Sequence, residues 1–152
     1  MSIDPPISGT IEDGVHIMPM RVYYEDTDTA GIVYYANYLR FIERARTEIL
    51  RLCGVDQFTL MNAPAADRIS FAVTRAEVDY ISPAHLDDII TVKTRTTRVR
   101  GASIPMEQDI WRGDDLLLRS FIKAACLNAD GAPTRLPRDF VQNAQTLLSL
   151  DQ

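Results

Sequence analysis

Tyr38-Leu-Arg-Phe-Ile-Glu-Arg-Ala-Arg-Thr-Glu-Ile-Leu-Arg-Leu52 is the stretch on which the fold turns. Its apolar residues fall at 38, 41, 42, 45, 49 and 52, the 3.6-residue period of one helical face. Arg40, Arg44, Glu48 and Arg51 line the opposite side, with Arg44 and Glu48 four apart. Gly54, just past Cys53, supplies the left-handed residue that closes many helices, so the helix is expected to end there. A helix with a single apolar stripe has to bury it, and the chain downstream offers the partner. Residues 69–81, 88–99, 103–111 and 116–127 are rich in β-branched and aromatic residues. Ser82-Pro83 and Leu86-Asp-Asp88, then Arg100-Gly101, then Gly113-Asp-Asp115 separate them, and such short links favour antiparallel neighbours.

Outward from this block the reading continues in both directions. Residues 55–68, with Asn62, Pro64 and several alanines, form an irregular connection with one short helical turn. Pro137 to Leu150 reads as a C-terminal helix with proline at its start. Upstream, Met20-Arg-Val-Tyr-Tyr24 alternates as a strand does, while residues 1–18, with Pro5, Pro6, Gly9 and Gly14 and no periodicity, read as a flexible N-terminal arm. The predicted order is strand, loop, long helix, then four strands. This is an α+β arrangement, a single domain over 19–152 whose five-stranded antiparallel sheet wraps the long helix. Such a sheet leaves an edge of unpaired N–H and C=O groups, which pairing with a second copy removes. A homodimer is therefore expected, with a homotetramer as the larger assembly.

Composition narrows the function classes. The chain has 152 residues, 46% hydrophobic and 24% charged, enough for one self-sufficient core without disulfide or metal. Sixteen basic against 21 acidic residues give a net charge of −5, which argues against nucleic acid as a partner. Cys53 and Cys126 lie in apolar stretches with no paired spacing and read as buried reduced thiols. No apolar run reaches the length of a membrane span, and the acidic N-terminus lacks a secretory pattern, so a cytoplasmic protein is expected.

The densest polar cluster is Tyr24-Glu-Asp-Thr-Asp28, set between a strand end and the long helix and followed by Ala30-Gly31. Asp and Thr make local turns with their own backbone, so a hydrogen-bonded turn is one reading. The other follows from the helix start beyond it. Unpaired N–H groups there carry partial positive charge, and a carboxylate folded back beside them would pair an acid or nucleophile with a site for a developing oxyanion. The aromatic residues Tyr23, Tyr24, Tyr34, Tyr35 and Tyr38 read as core and interface packing.

The string from Tyr23 through Asp28, Gly31, Tyr34, Tyr35 and Asn37 to Glu48 resembles the signature of the 4-hydroxybenzoyl-CoA thioesterase family of hot-dog-fold enzymes, nearest its Tol-Pal-associated acyl-CoA thioesterase branch. The likeness continues through Val78-Asp-Tyr80, Pro83, Leu86-Asp-Asp88, Arg100-Gly101 and Ser103. It implies a hot-dog fold and hydrolysis of an acyl-CoA, with short-chain, aromatic and fatty acyl groups all open and acyl-carrier protein as a further partner. It places the catalytic carboxylate on Asp28, not Asp26, and the carbonyl-polarising backbone N–H on Tyr35. Asp28 then either attacks the carbonyl or deprotonates water. No cofactor or metal is implied, because CoA is part of the substrate. Members of the Tol-Pal branch often carry histidine where this chain has Tyr35. The two histidines here, His16 and His85, fall in the arm and in a turn.

Arg100, Gly101 and Ser103 match the family segment that meets the CoA nucleotide, and Arg135 is a second candidate for the same task, since arginine holds phosphate bidentately. A solvated surface charge is the alternative for either arginine. Glu43, on the helix, reads as an ion-pair partner for a neighbouring arginine or as a helical glutamate of the kind some hot-dog thioesterases use. Two other functions compete: a hot-dog hydratase or dehydratase, which wants a histidine beside the acid, and a non-catalytic module binding acyl-CoA or acyl-carrier protein.

Overall fold

The computed structural model describes residues 6–150. Strands β1 (Thr10–Glu12) and β2 (Val15–Arg21) come first. The long helix α1 (Tyr38–Leu52) and the short α2 (Gln57–Met61) follow. Strands β3 (Ser70–Tyr80), β4 (Ile89–Thr96), β5 (Ser103–Arg112) and β6 (Asp115–Leu127) and helix α3 (Arg138–Leu147) complete the chain. The strands form one antiparallel sheet in the order β1-β2-β4-β5-β6-β3.

The stripe on α1 does what its period requires: Tyr38, Phe41, Ile42, Ala45, Ile49 and Leu50 are buried. Against them lie Ile90, Val92, Ile110, Leu118 and Ile122 from the inner face of the sheet, each fully or almost fully buried. Each such side chain contributes about 1.5–3 kcal/mol of transfer free energy, so this contact is the core. Gly54 has φ +88° and follows the last turn of α1, as expected of a helix-closing residue. One polar pin crosses the core. Gln108 of β5 is fully buried, donating from Nε2 to the Ile42 carbonyl (3.1 Å) and Thr94 Oγ1 (3.0 Å) and accepting from Arg46 (3.1 Å). It holds α1 to one register on the sheet, because moving the helix would strand buried polar groups.

Four expectations change. The sheet has six strands rather than five. The expected arm over 1–18 is largely structured, with β1 and most of β2 inside it, while residues 1–5 lie outside the described part. The physical reason is Asp13-Gly14, both at positive φ (50° and 77°), which joins β1 to β2 by the kind of two-residue turn that matches strand twist. The strand expected at 20–24 accordingly sits at 15–21, and Tyr24–Asp26 is a helical turn. Pro19 is tolerated in β2 because β1 pairs only with residues 15–17, leaving the position opposite Pro19 on that side open. The Arg44–Glu48 pair gives way to Glu48 with Arg51 (3.4 Å) and with the Ser8 hydroxyl (2.8 Å).

The two free cysteines are buried, and burial pushes both thiols up to about 11. Among the described residues, no helix is long and apolar enough to cross a membrane, and no cluster of His, Cys, Asp and Glu is arranged to hold a metal.

Candidate active site

The loop between β2 and α1 carries two aspartates with different surroundings. Asp26 is only 4% exposed. Its Oδ2 accepts from the Tyr23 N–H (2.8 Å), its Oδ1 from Asn37 Nδ2 (2.9 Å), and its backbone carbonyl from the Tyr34 N–H (3.0 Å). It ties both ends of the loop together. Asp28 is exposed at the base of a tight turn: its N–H donates to the Ile32 carbonyl (2.9 Å), and its own carbonyl accepts from Gly31 (3.0 Å). Gly31 supplies the positive φ (+78°) that this turn needs. Oδ1 of Asp28 accepts from the Ala30 N–H (2.8 Å), and among the described residues Oδ2 has no partner. One Asp28 oxygen therefore caps a turn, as the hydrogen-bonded-turn reading expects, and the other is free among the described residues.

Asp28 lines a cleft of about 390 Å³ together with Glu25, Thr27, Tyr34, Asn37 and Arg40. Beyond it the chain enters a 3₁₀ turn, Tyr35–Asn37, that runs straight into α1. Tyr35 is the first residue of this turn, and among the described residues its N–H meets no acceptor. The Tyr34 phenol is held above its ordinary range, first by the Tyr35 hydroxyl and also, to a smaller degree, by the Asp28 carboxylate.

Neighbouring elements brace this end. The Val33 N–H donates to the Ala84 carbonyl and the Ala84 N–H to the Tyr38 hydroxyl (2.9 and 3.0 Å). The Tyr80 hydroxyl donates to the Tyr35 carbonyl (2.8 Å). Asp88 accepts from the His85 N–H (2.8 Å) and from Arg112 (2.9 Å). Burial works against its ionisation, but those two donors outweigh it and hold the carboxyl low. Sequence reasoning assigned no role to Asn37, Tyr80, Asp88 or Arg112, although the first three lie in the strings that carried the resemblance.

The expected CoA-binding residues lie elsewhere. Arg100 bridges to Ser103 across a turn in which Gly101 has φ +67°. The Gly101 carbonyl accepts from the Leu136 N–H (2.8 Å), which brings Arg135 alongside, and both arginines are exposed. These four residues do gather, but at the wrong end for Asp28 in the same chain. β4 starts at Ile89, opposite Arg21 and the Asp28 loop, and ends at Thr96, before the Arg100 turn. A strand of that length separates them by about 23 Å at the usual rise. Glu43 pairs with neither arginine among the described ion pairs; it accepts from the Thr47 hydroxyl (3.2 Å) at the rim of an apolar cavity of about 220 Å³. His16 is buried in β2, and the His85 ring faces Asp88 (3.8 Å), so neither lines the Asp28 cleft.

One long helix wrapped by an antiparallel sheet defines a hot-dog-fold protein, and the loop that leads into that helix carries an exposed carboxylate. The chain belongs to the thioesterase superfamily, whose family model matches residues 30–118, a span that holds Tyr35 and Tyr80 and begins just after Asp28. It is 44% identical to the acyl-CoA thioesterase YbgC of Haemophilus influenzae over 72% of this chain and 79% of that protein. The crystal structure of a probable thioesterase from Bartonella henselae superposes with a TM-score of 0.76 at 39% identity, covering 81% of this chain and 99% of the other. A 4-hydroxybenzoyl-CoA thioesterase variant bound to 4-hydroxybenzoyl-CoA gives a TM-score of 0.75 at 21% identity, over 86% and 98% of the two chains, and shows the shared fold.

Proposed function

We propose that the chain hydrolyses acyl-CoA thioesters to the free acid and CoA, as a dimer in which Asp28 and Tyr35 of one copy act on substrate whose nucleotide is held by Arg100 and Arg135 of the other. The observation that carries this reading is the exposed Asp28 carboxylate, one oxygen without a partner among the described residues, in the loop leading to a 3₁₀ turn whose first N–H, on Tyr35, meets no acceptor among them. The thioester carbonyl oxygen accepts from the Tyr35 N–H, which lowers the cost of the negative charge that builds there. The free Asp28 oxygen then adds to the carbonyl carbon, releasing CoA thiolate and leaving an anhydride that water cleaves, or it takes a proton from water as that water adds. Both routes yield one acid and one CoA. A thiolate leaves readily, so no strong general acid is required.

The 23 Å gap supports the dimer. β3 is an eleven-residue edge strand with its outer side unpaired, and it runs between the two ends: Ser70 pairs with Leu127 near the Arg135 segment, while Tyr80 reaches Tyr35. Antiparallel pairing of two β3 strands about their middle sets each copy's Tyr80 end beside the other's Ser70 end. The apolar cavity, walled by Leu50, Phe71, Val99, Met106 and Phe140, lies at the Ser70 end and suits the acyl group of a substrate reacting at the partner's Asp28. An acyl group on acyl-carrier protein presents the same thioester. The unpaired cysteines fit work in the cytoplasm.

The test is a panel of aromatic, short-chain and long-chain acyl-CoA esters with a reagent that traps free thiol. Release of CoA from at least one ester, lost in a folded Asp28→Asn variant, is the expected result; no release from any ester refutes the proposal. CoA-ester binding without turnover would instead identify a binding module.

A further inference from the structure

We propose that Tyr80 is a positioning residue for the oxyanion donor: its hydroxyl, held at the end of the edge strand, sets the direction in which the Tyr35 N–H points. This rests on the thioesterase reading above. The peptide that carries the Tyr35 N–H also carries the Tyr34 carbonyl, which accepts from the Asn37 N–H (2.8 Å). The next peptide carries the Tyr35 carbonyl, and there the Tyr80 hydroxyl donates (2.8 Å). With the peptides on both sides of the Tyr35 Cα tied, its φ and ψ have little freedom, and the N–H carried by the first of them is held in one direction. The first tie belongs to the 3₁₀ turn itself. The second spans 45 residues and is the one that tertiary structure adds.

Three observations make Tyr80 suited to this. Its backbone is anchored, since Tyr80 pairs with Leu118 and the next two N–H groups, Ile81 and Ser82, both donate to the Leu117 carbonyl (2.9 and 3.1 Å). Its ring stands edge-on to Tyr35 (6.3 Å between centroids, 74°) and to Tyr38 (5.8 Å, 65°), which limits where the hydroxyl can swing. Tyr35 cannot hold itself by packing, because its residue is 62% exposed. Burial, and then Tyr35, keep the Tyr80 phenol above its ordinary range, so it stays a protonated donor at neutral and mildly alkaline pH. A donor aimed at the oxyanion matters in the transition state rather than in substrate binding, so its misalignment lowers kcat and leaves KM alone.

The experiment compares wild type, Tyr80→Phe and Asp28→Asn on the best acyl-CoA of the panel, with melting temperature, dimer content and affinity for a non-hydrolysable thioether analogue measured on each. Tyr80→Phe keeps the ring and its edge contacts and deletes only the hydroxyl. The expected result is a kcat lower by about tenfold with KM, analogue affinity, dimer content and melting temperature close to wild type. An active wild type with an unchanged kcat in Tyr80→Phe overturns the assignment and leaves the thioesterase reading standing. A fall in kcat accompanied by loss of dimer or of melting temperature also overturns it, as an ordinary structural role. A wild type inactive on every ester overturns both.

Discussion

At the Asp28 end of the sheet, hydrogen bonds made through side chains tie the loop, α1, β3 and the β3–β4 turn together: the Asp26 carboxylate accepts from the Tyr23 N–H and the Asn37 amide, the Tyr80 hydroxyl donates to the Tyr35 carbonyl, and the Ala84 N–H donates to the Tyr38 hydroxyl. At the Arg100 end the turn is held by backbone pairs, Leu136 to Gly101 and Cys126 to Ala102, and its two arginines project into solvent. Under the proposed mechanism the two ends have different tasks. A reacting carboxylate and an oxyanion donor lose rate when displaced by an ångström, whereas phosphate groups are held by charge that tolerates movement. The side-chain ties lie at the end where the proposed chemistry takes place.

The largest effect should come from Asp28→Asn, which removes nucleophile or base with little change in contacts. Turnover should fall by about a thousandfold or more, with melting temperature near wild type, in the thiol-release assay. Asp26→Ala should depart from that pattern by lowering stability as well as activity. It strands the Tyr23 N–H and the Asn37 amide and should cost about 2–3 kcal/mol in denaturant melts, with activity lost because the loop no longer holds. At the other end, Arg100→Ala combined with Arg135→Ala should raise KM by about tenfold and spare kcat, and the residual KM should depend less on salt. Gly101→Ala tests the turn itself. The added methyl meets no atom within 4 Å, so the only penalty is the left-handed backbone at φ +67°, about 1 kcal/mol with a modest KM effect.

The smallest expected effect lies away from both ends. His16 is buried with Nε2 on the Ser8 carbonyl (2.8 Å) and Nδ1 unpartnered, and burial lowers its pKa, against smaller opposing effects of the Ser8 carbonyl and Glu48. A lowered folded-state pKa means that the stability tied to neutral His16 is fully present above the unfolded value of 6.5 and is lost as pH falls below it. Melting temperature should decline below about pH 6.5, and His16→Gln, which keeps a donor and cannot be protonated in that range, should flatten the decline.

Much of this architecture is legible in local patterns. The α1 stripe, the four later strands and α3 follow from period, β-branched and aromatic content and turn residues, all of which are local to each segment. β1 and β2 escape for a physical reason: the most buried residue of β2 is His16, so hydrophobic alternation fails there, and the Asp13-Gly14 turn sits among prolines and glycines that suggest disorder. Gln108 hides in the same way. At the site, composition cannot separate Asp26 from Asp28; resemblance picks Asp28, and the geometry adds that both Asp26 oxygens are taken up by the loop while Asp28 keeps one without a partner among the described residues. Tyr80 on Tyr35 and Arg135 beside Arg100 arise from strand order, which no spacing along the chain encodes.

The claim that a working site joins the Asp28 end of one copy to the Arg100 end of the other is tested most directly by mixing two defective chains. Asp28→Asn and Arg100→Ala/Arg135→Ala are purified separately, unfolded and refolded together, and assayed at substrate well below KM. A mixed dimer then contains one site with both halves intact and one with neither. The account predicts that the mixture regains about a quarter of wild-type activity, clearly above the mean of the two parents, as random pairing of two chains requires. Activity no higher than that mean, in a sample shown to contain mixed dimers, would contradict it.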